Sequence, residues 1–358
     1  MPDFTLVDQP DAIISKLDDL HRIAVDTEFM REKTFFAELC LVQVATGENI
    51  YCVDPLDGHG MDAFWDALMQ RTWVVHSARQ DIEVVYQTAE KMPGHIVDTQ
   101  IAAGLLGYAP QMGYATLVKE LFDIDIPKSH TRADWSRRPL ADAHLQYAAE
   151  DVEYLLPAYD ILAERLDKAG RLTWAEEDAA QLLSPELYDI EPRLAIDRMK
   201  GARNLRGKRR AAAARLAAWR ESEALRANRP RQWIAKDSSL LEVASSLPKS
   251  IDELSKIDGL PAGVIRRSGQ NILDAIAASN DDQNDHQPPS PPDESQKAVL
   301  KSMQKRVAEC AEDLGLAAET VASKRDLSAI IFDGEKNSKV LSGWRREIIG
   351  ESLLDSLR

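Results

Sequence analysis

Four acidic residues and one tyrosine are the residues of this chain best suited to chemistry. Asp26 and Glu28 lie in Val25-Asp26-Thr27-Glu28-Phe29, Asp81 ends His76-Ser77-Ala78-Arg79-Gln80-Asp81, and Tyr147 stands four residues before Asp151. Carboxylates in such a set can hold two divalent cations beside a phosphodiester, an arrangement that hydrolyses nucleic acid without a protein nucleophile.

Each segment alone has a plainer explanation. Asp26 and Glu28 are two apart at the end of a strand-like run, so the period of two puts both on one face. Paired carboxylates there are costly unless neutralised, yet Asp-x-Glu is also common at a wet strand end. Asp81 opens a helix, where the helix dipole favours an acid. Capping accounts for Asp98. Tyr147 and Asp151 share a helical face at i and i+4. That is the geometry of a hydrogen-bonded core pair, and equally of a metal carboxylate with a hydroxyl poised beside it. Glu150 points about 100° round the helix and reads as solvated or structural. His76, on a strand, reads as a satisfied core histidine.

The elements that must position these groups follow from periodicity. Arg22 to Val25 reads as a strand leading into Asp26, and Leu39–Ala45 and Asn49–Asp54 form a hairpin around Thr46-Gly47-Glu48. Met61–Met69 is a predicted helix, Trp73–His76 a strand, Asp81–Ala89 a helix, and His95–Val97 a last strand before Asp98 and a helix through Leu106. Residues 129–140 read as irregular. Asp142 to about Leu166 reads as one helix bent at Pro157, which cannot donate a backbone hydrogen bond. The pattern predicts an α/β fold, a mixed sheet covered by helices. After Pro192 the composition turns to helix formers, and Asn280–Gln296, with Pro288-Pro289-Ser290-Pro291-Pro292, reads as a linker.

At 358 residues, 44% hydrophobic and 29% charged, the chain has the composition of a soluble globular protein of two or three domains. No apolar run approaches the ~18–20 residues of a membrane span, and the N-terminus does not read as a secretory signal. Cys40, Cys52 and Cys310 lack metal-ligand spacing, and the first two read as buried thiols, which together predicts a reducing cytoplasm. The net charge of −15 is unevenly spread: residues 193–236 hold fourteen Lys and Arg against three acids, a net +11, leaving −26 elsewhere. Such a stretch is a local footprint for a polyanion.

The motifs resemble, as a set, the ribonuclease D family of DEDD 3′→5′ exonucleases. Asp26-Thr27-Glu28-Phe29, His76 to Asp81, and Tyr147-Ala148-Ala149-Glu150-Asp151-Val152-Glu153-Tyr154-Leu155 match its three motifs, and Tyr147 marks its tyrosine subclass. Asp98–Ala103 and Asp134-Trp135-Ser136-Arg137-Arg138-Pro139-Leu140 also look like family segments. The resemblance spans residues of about 20–170. It implies a ribonuclease-H-like fold with Asp26, Glu28, Asp81 and Asp151 as ligands of two Mg²⁺ or Mn²⁺ ions. Tyr147, too weak an acid at its usual pKa near ~10 to serve as a base, would orient the attacking water. Phe29 and Met30 are candidate wedges against the terminal base, and Lys128 a basic contact to substrate.

Arg229-Pro230-Arg231-Gln232-Trp233-Ile234 and the segments 237–244 and 248–254 resemble the HRDC domain, and 298–358 a more divergent copy. The expected organisation is an exonuclease domain over 1–190, a first HRDC domain over 195–280, a Pro-rich linker over 281–297 and a second, HRDC-like domain over 298–358. Within the basic stretch, Arg203, Arg206, Lys208, Arg209, Arg210 and Arg215 are the predicted phosphate-facing side chains. The resulting expectation is a monomeric exoribonuclease that trims RNA 3′ tails, tRNA precursors foremost, to nucleoside 5′-monophosphates. A DNA exonuclease is the alternative, because the contact to a 2′-hydroxyl cannot be located in the sequence. A non-catalytic binding module would lack a ligand, and none is missing. A helicase would need a phosphate-binding Gly-x4-Gly-Lys-Ser/Thr loop, which does not occur.

Overall fold

The computed structural model describes residues 2–56, 58–127, 133–279, 292–333 and 338–357. Most of the expected 281–297 linker therefore lies outside the described residues.

The sheet has six strands: β1 (Phe4–Val7), β2 (Arg22–Met30), β3 (Glu38–Ala45), β4 (Ile50–Val53), β5 (Thr72–Val75) and β6 (His95–Asp98). Their order is β1-β4-β3-β2-β5-β6. The expected hairpin is present, with Ala45 opposite Ile50 in an antiparallel pair. On the other side, β2, β5 and β6 run parallel. Pairing of β2 with β5 covers Arg22 to Ala24, so β2 continues past its described partner residues before reaching Asp26 and Glu28. The carboxyl ends of parallel strands are where open α/β sheets place their ligands. The edge strand β1, parallel to β4, escaped the sequence reading because it is four residues long and flanked by Asp3, Asp8 and Pro10.

Helices α1 (Asp11–Leu17), α2 (Met61–Met69), α3 (Arg79–Ala89), α4 (Thr99–Leu105), α5 (Tyr114–Phe122), α6 (Asp142–Glu153), α7 (Leu155–Lys168) and α8 (Leu172–Ala180) accompany the sheet. Helix α6 lays Leu145, Ala148, Ala149 and Val152 on a core with Ala24, Cys40, Leu41, Cys52 and Trp135. The long helix expected from Asp142 breaks at Tyr154 rather than at Pro157. A proline acts one turn upstream of itself: it has no N–H for the Glu153 carbonyl, and its ring crowds that group. Burial pushes the Cys52 thiol up to about 12, as suits an inert core thiol.

Packing divides the chain into two units. The first joins Met1–Met30 and Leu39–Tyr188 to Pro292–Arg358. Its C-terminal bundle starts with Asp293, which with Gln296 forms a capping box for a helix over Glu294–Leu314. It has its own core of Leu300, Met303, Val307, Leu327, Ile330 and Val340. The bundle docks on α8, where Trp344 stacks on Trp174 with ring centroids 4.4 Å apart. The Trp344 N–H donates to Glu177 at 2.9 Å, and the Arg345 guanidinium is paired with Asp178.

The second unit joins Arg31–Glu38 to Asp189–Pro291. The 20-residue helix α9 (Gly207–Arg226) buries an alanine-rich face against Leu240, Val243, Leu254 and Ile272. Part of this unit's basic character is neutralised internally. Glu221, 1% exposed, takes two hydrogen bonds from Arg231 at 2.5 and 2.6 Å and one from Arg198. Arg220 pairs with Asp237 at 2.6 Å. Among the described residues no helix is long and apolar enough to cross a membrane.

Trp344→Ala removes a side chain only 2% exposed. It is expected to cost about 3–5 kcal/mol and to speed hydrogen exchange of the helix from Glu294 onward. Unchanged exchange there would show that the stack does not hold the bundle.

Candidate active site

Strand β2 turns Val25 and Thr27 to a buried face and leaves Asp26 and Glu28 together on the other. Helix α6 brings Asp151 to the same place. One carboxylate oxygen from each of Asp26, Glu28 and Asp151 lies within 4.8 Å of the other two. Asp81, at the third position of α3, lies outside this close group. It is buried, and its Oδ1 accepts a 2.5 Å hydrogen bond from the Thr27 hydroxyl, on the opposite face of β2.

Crowding and burial leave a clear electrostatic signature. Burial pushes the Asp26 carboxyl well up, and the charges of Asp81, Asp151 and Glu28 push it further. Burial, then Asp151 and Asp81, raise Glu28 to about 8. Burial raises Asp151 to about 7, against a hydrogen bond from Tyr147 that favours its ionised form. Asp81 reaches about 6 through burial, held back by Thr27. Half-buried beside Asp151, the Tyr147 phenol is also pushed up and stays neutral, a donor rather than a base. A divalent cation fits this group: its donors are hard oxygens, the ligand class of Mg²⁺ and Mn²⁺, and positive charge relieves the repulsion.

Distant side chains build the frame. Asp98 does more than the capping expected of it. Its carboxylate accepts from Gln100 and Ile101 at the start of α4 and also from the Ser77 and Ala78 amides at 3.0 and 2.9 Å. Ser77 has a φ of 62°, a left-handed conformation that side chains resist. Asp98 therefore secures the sharp turn that delivers Asp81. His76 is a satisfied histidine, 2.9 Å from both the Thr99 hydroxyl and the Met112 carbonyl, and burial lowers its pKa. In the segment 134–140, Arg138 binds Asp54 and the Cys40 and Trp135 carbonyls. Trp135 is buried against the Tyr147 ring, 6.2 Å between centroids.

The remaining predicted residues distribute unevenly. Phe29 and Met30 end β2, both half-buried, with Met30 packed on the α6 core. Lys128 lies outside the described residues. In the second unit Arg203, Arg206 and Arg209 are exposed, and Lys208 and Arg215 are half-buried. Arg210 corrects the expectation. It is 6% exposed, and its guanidinium donates to the Ala202 carbonyl at 2.9 Å. It falls on the helical stripe of Ala214, Ala217 and Glu221, which faces inward, so it supports the fold and offers nothing to a phosphate. The sequence alone assigns no role to Thr27, Tyr114 and Arg138, because these partners lie 36 or more residues away.

A cavity of about 210 Å³ opens beside Tyr147 and Asp151, lined also by Gly113, Tyr114, Thr116 and Pro127. A larger one, about 960 Å³, lies around Arg22, Gly47 and Asp160 at the opposite end of β2 and contains none of the four acids. Size does not mark the site here. The convergence of carboxylates does.

Comparison with known proteins identifies the family of the chain. Residues 4–167 match a 3′→5′ exonuclease family and residues 209–276 the HRDC domain family. Ribonuclease D of Gluconacetobacter diazotrophicus is 36% identical over 99% of this chain and 92% of its own length. Ribonuclease D of Acidiphilium cryptum is 37% identical over 99% and 93%. The crystal structure of Escherichia coli RNase D, described as an exoribonuclease involved in structured RNA processing, superposes with a TM-score of 0.89. It covers 99% of both chains at 27% identity.

The raised carboxyl pKa values carry a definite pH dependence. Groups titrating near 6, 7 and 8 in the fold keep protons that unfolded carboxyls, near about 4, have released. The stability tied to them is full below pH 4 and lost as pH rises towards 8. Added Mn²⁺ is therefore expected to raise the melting temperature more at pH 8 than at pH 6 in the wild type, and little at either pH in Asp26→Asn. Equal increments at both pH values would contradict this electrostatic account.

Proposed function

Since the chain belongs to the ribonuclease D family and is a 3′→5′ exoribonuclease, we propose that Asp26, Glu28, Asp81 and Asp151 hold two Mg²⁺ or Mn²⁺ ions at the RNA 3′ end, and that Tyr147 orients the attacking water. The observation that carries this reading is the convergence of the Asp26, Glu28 and Asp151 oxygens within 4.8 Å, with Asp81 near enough for its charge to raise the Asp26 carboxyl. When bound, such cations stabilise the attacking and leaving oxygens of a phosphodiester. The neutral Tyr147 hydroxyl, hydrogen-bonded to Asp151, holds the water in line with phosphorus. Water oxygen bonds to phosphorus and the bond to the 3′-oxygen of the preceding nucleotide breaks. The products are a nucleoside 5′-monophosphate and a chain one residue shorter with a free 3′-hydroxyl.

The substrate we propose is a structured RNA with a single-stranded 3′ tail, tRNA precursors first among them. The E. coli relative's role in structured RNA processing supports that choice. Arg203, Arg206 and Arg209, exposed in the HRDC unit, suit sequence-independent contact with the phosphate backbone.

Degradation of 3′-labelled RNA and DNA of matched sequence tests the assignment. Mg²⁺-dependent RNA cleavage is expected, abolished by EDTA and reduced in Asp26→Asn by about two to three orders of magnitude. Full activity in the mutant or in EDTA would refute it, and preference for DNA would refute the substrate. Replacing Arg203, Arg206 and Arg209 with Ala is expected to weaken RNA binding and flatten its salt dependence by roughly 0.7 per lost phosphate contact. Arg210→Ala should instead lower the melting temperature, and the reverse pattern would contradict the surface drawn here.

A further inference from the structure

The turn that carries Asp151 is not an ordinary helical turn. In an unbroken helix the Tyr154 amide would donate to the Glu150 carbonyl. Here the Tyr114 phenol stands between them. Its hydroxyl accepts from the Tyr154 amide at 2.9 Å and donates to the Glu150 carbonyl at 3.1 Å. Asp151 is the first residue inside the segment so spliced, and the backbone leaves the helix at Tyr154, with φ −103° and ψ 3°. Pro157 removes a different bond, three residues further on, the one its missing N–H would make to Glu153. The opening at Glu150 belongs to Tyr114, because a side chain inserted into the ladder spreads a helix locally.

Tyr114 is itself tied to the turn that delivers Asp81. Its ring meets His76 edge-on, with centroids 5.8 Å apart. The Met112 carbonyl, two residues before it, binds both His76 and the Gln100 side chain. Tyr114 also lines the cavity it shares with Tyr147 and Asp151. A side chain needed only to fill space has no reason to place one hydroxyl between the two atoms of a single backbone bond.

We propose that Tyr114 is a positioning residue, its hydroxyl spliced between Glu150 and Tyr154 so as to set the reach of Asp151 towards Asp26 and Glu28. The proposal rests on Asp151 acting as a cation ligand. Tyr114 touches no reacting atom and acts through the backbone of the Asp151 turn.

The direct test is Tyr114→Phe, which keeps the ring and lets the ordinary Glu150–Tyr154 bond close. Four quantities are measured beside wild type and Asp151→Asn: kcat and KM on a 3′-labelled oligoribonucleotide, Mn²⁺ affinity of the RNA-free protein by calorimetry, and melting temperature. The expected result is a kcat lower by roughly ten-fold or more, a KM within about two-fold of wild type, and Mn²⁺ binding weakened several-fold. Wild-type kcat and Mn²⁺ affinity in Tyr114→Phe would overturn the proposal, whether or not the melting temperature falls, and would leave Tyr114 a packing residue. Asp151→Asn separates the two levels. If it binds Mn²⁺ like wild type, the cation assignment itself fails; if it loses Mn²⁺ while Tyr114→Phe does not, only the role of Tyr114 fails.

Discussion

Repulsion among crowded, half-buried carboxylates is the constraint around which the first unit is organised. Asp26, Glu28 and Asp151 bring oxygens within 4.8 Å of one another in a place where burial already disfavours charge. A fold tolerates such crowding only where protons or cations relieve it. Burial first, and neighbouring acidic charges second, raise the carboxyls of Glu28, Asp151 and Asp81 accordingly. Asp81 contributes to the field yet is turned aside by Thr27. The site thus divides into a tight group of three and a fourth acid held by its own partner.

Everything that holds this arrangement must resist a force pushing its members apart. Strand β2 does so through period-two geometry inside a six-stranded sheet. Helix α6 does so by anchoring Ala148, Ala149 and Val152 in the same core. Asp98 spends its carboxylate on four backbone amides and so fixes the left-handed turn before Asp81. Arg138 ties the segment before α6 to β3 and to Asp54 just past β4. Rigid preorganisation of this kind keeps functional groups in place without a reorganisation cost during reaction. The HRDC unit follows a different rule: its buried Arg210 and Arg220 are spent on internal carbonyls and a carboxylate, while Arg203, Arg206 and Arg209 around the start of α9 stay exposed.

Local geometry was legible from the sequence and long-range partnership was not. Asp26 and Glu28 on one strand face, Tyr147 above Asp151 and the β3–β4 hairpin all follow from repeat periods and turn chemistry. The helix break expected at Pro157 falls at Tyr154, because Pro157 leaves the Glu153 carbonyl without its donor and the Tyr114 hydroxyl stands between the Tyr154 amide and the Glu150 carbonyl. Arg210 was misassigned because composition counts charge without saying which helical stripe bears it. Nothing local marks Thr27 as the partner of Asp81, or Tyr114 as part of the Asp151 turn. Those relations arise only when strands and helices distant in sequence are brought together.

The most direct test of the central electrostatic claim is the number of protons released when a divalent cation binds. Calorimetric titration of Mn²⁺ into the RNA-free protein near pH 7, in buffers of different ionisation enthalpy, measures it. With Glu28 titrating near 8 and Asp151 near 7, cation binding is predicted to release on the order of one proton at pH 7, and fewer at pH 9. Binding without proton release at pH 7 would mean that the carboxylates are already ionised in the free protein, and would contradict the account.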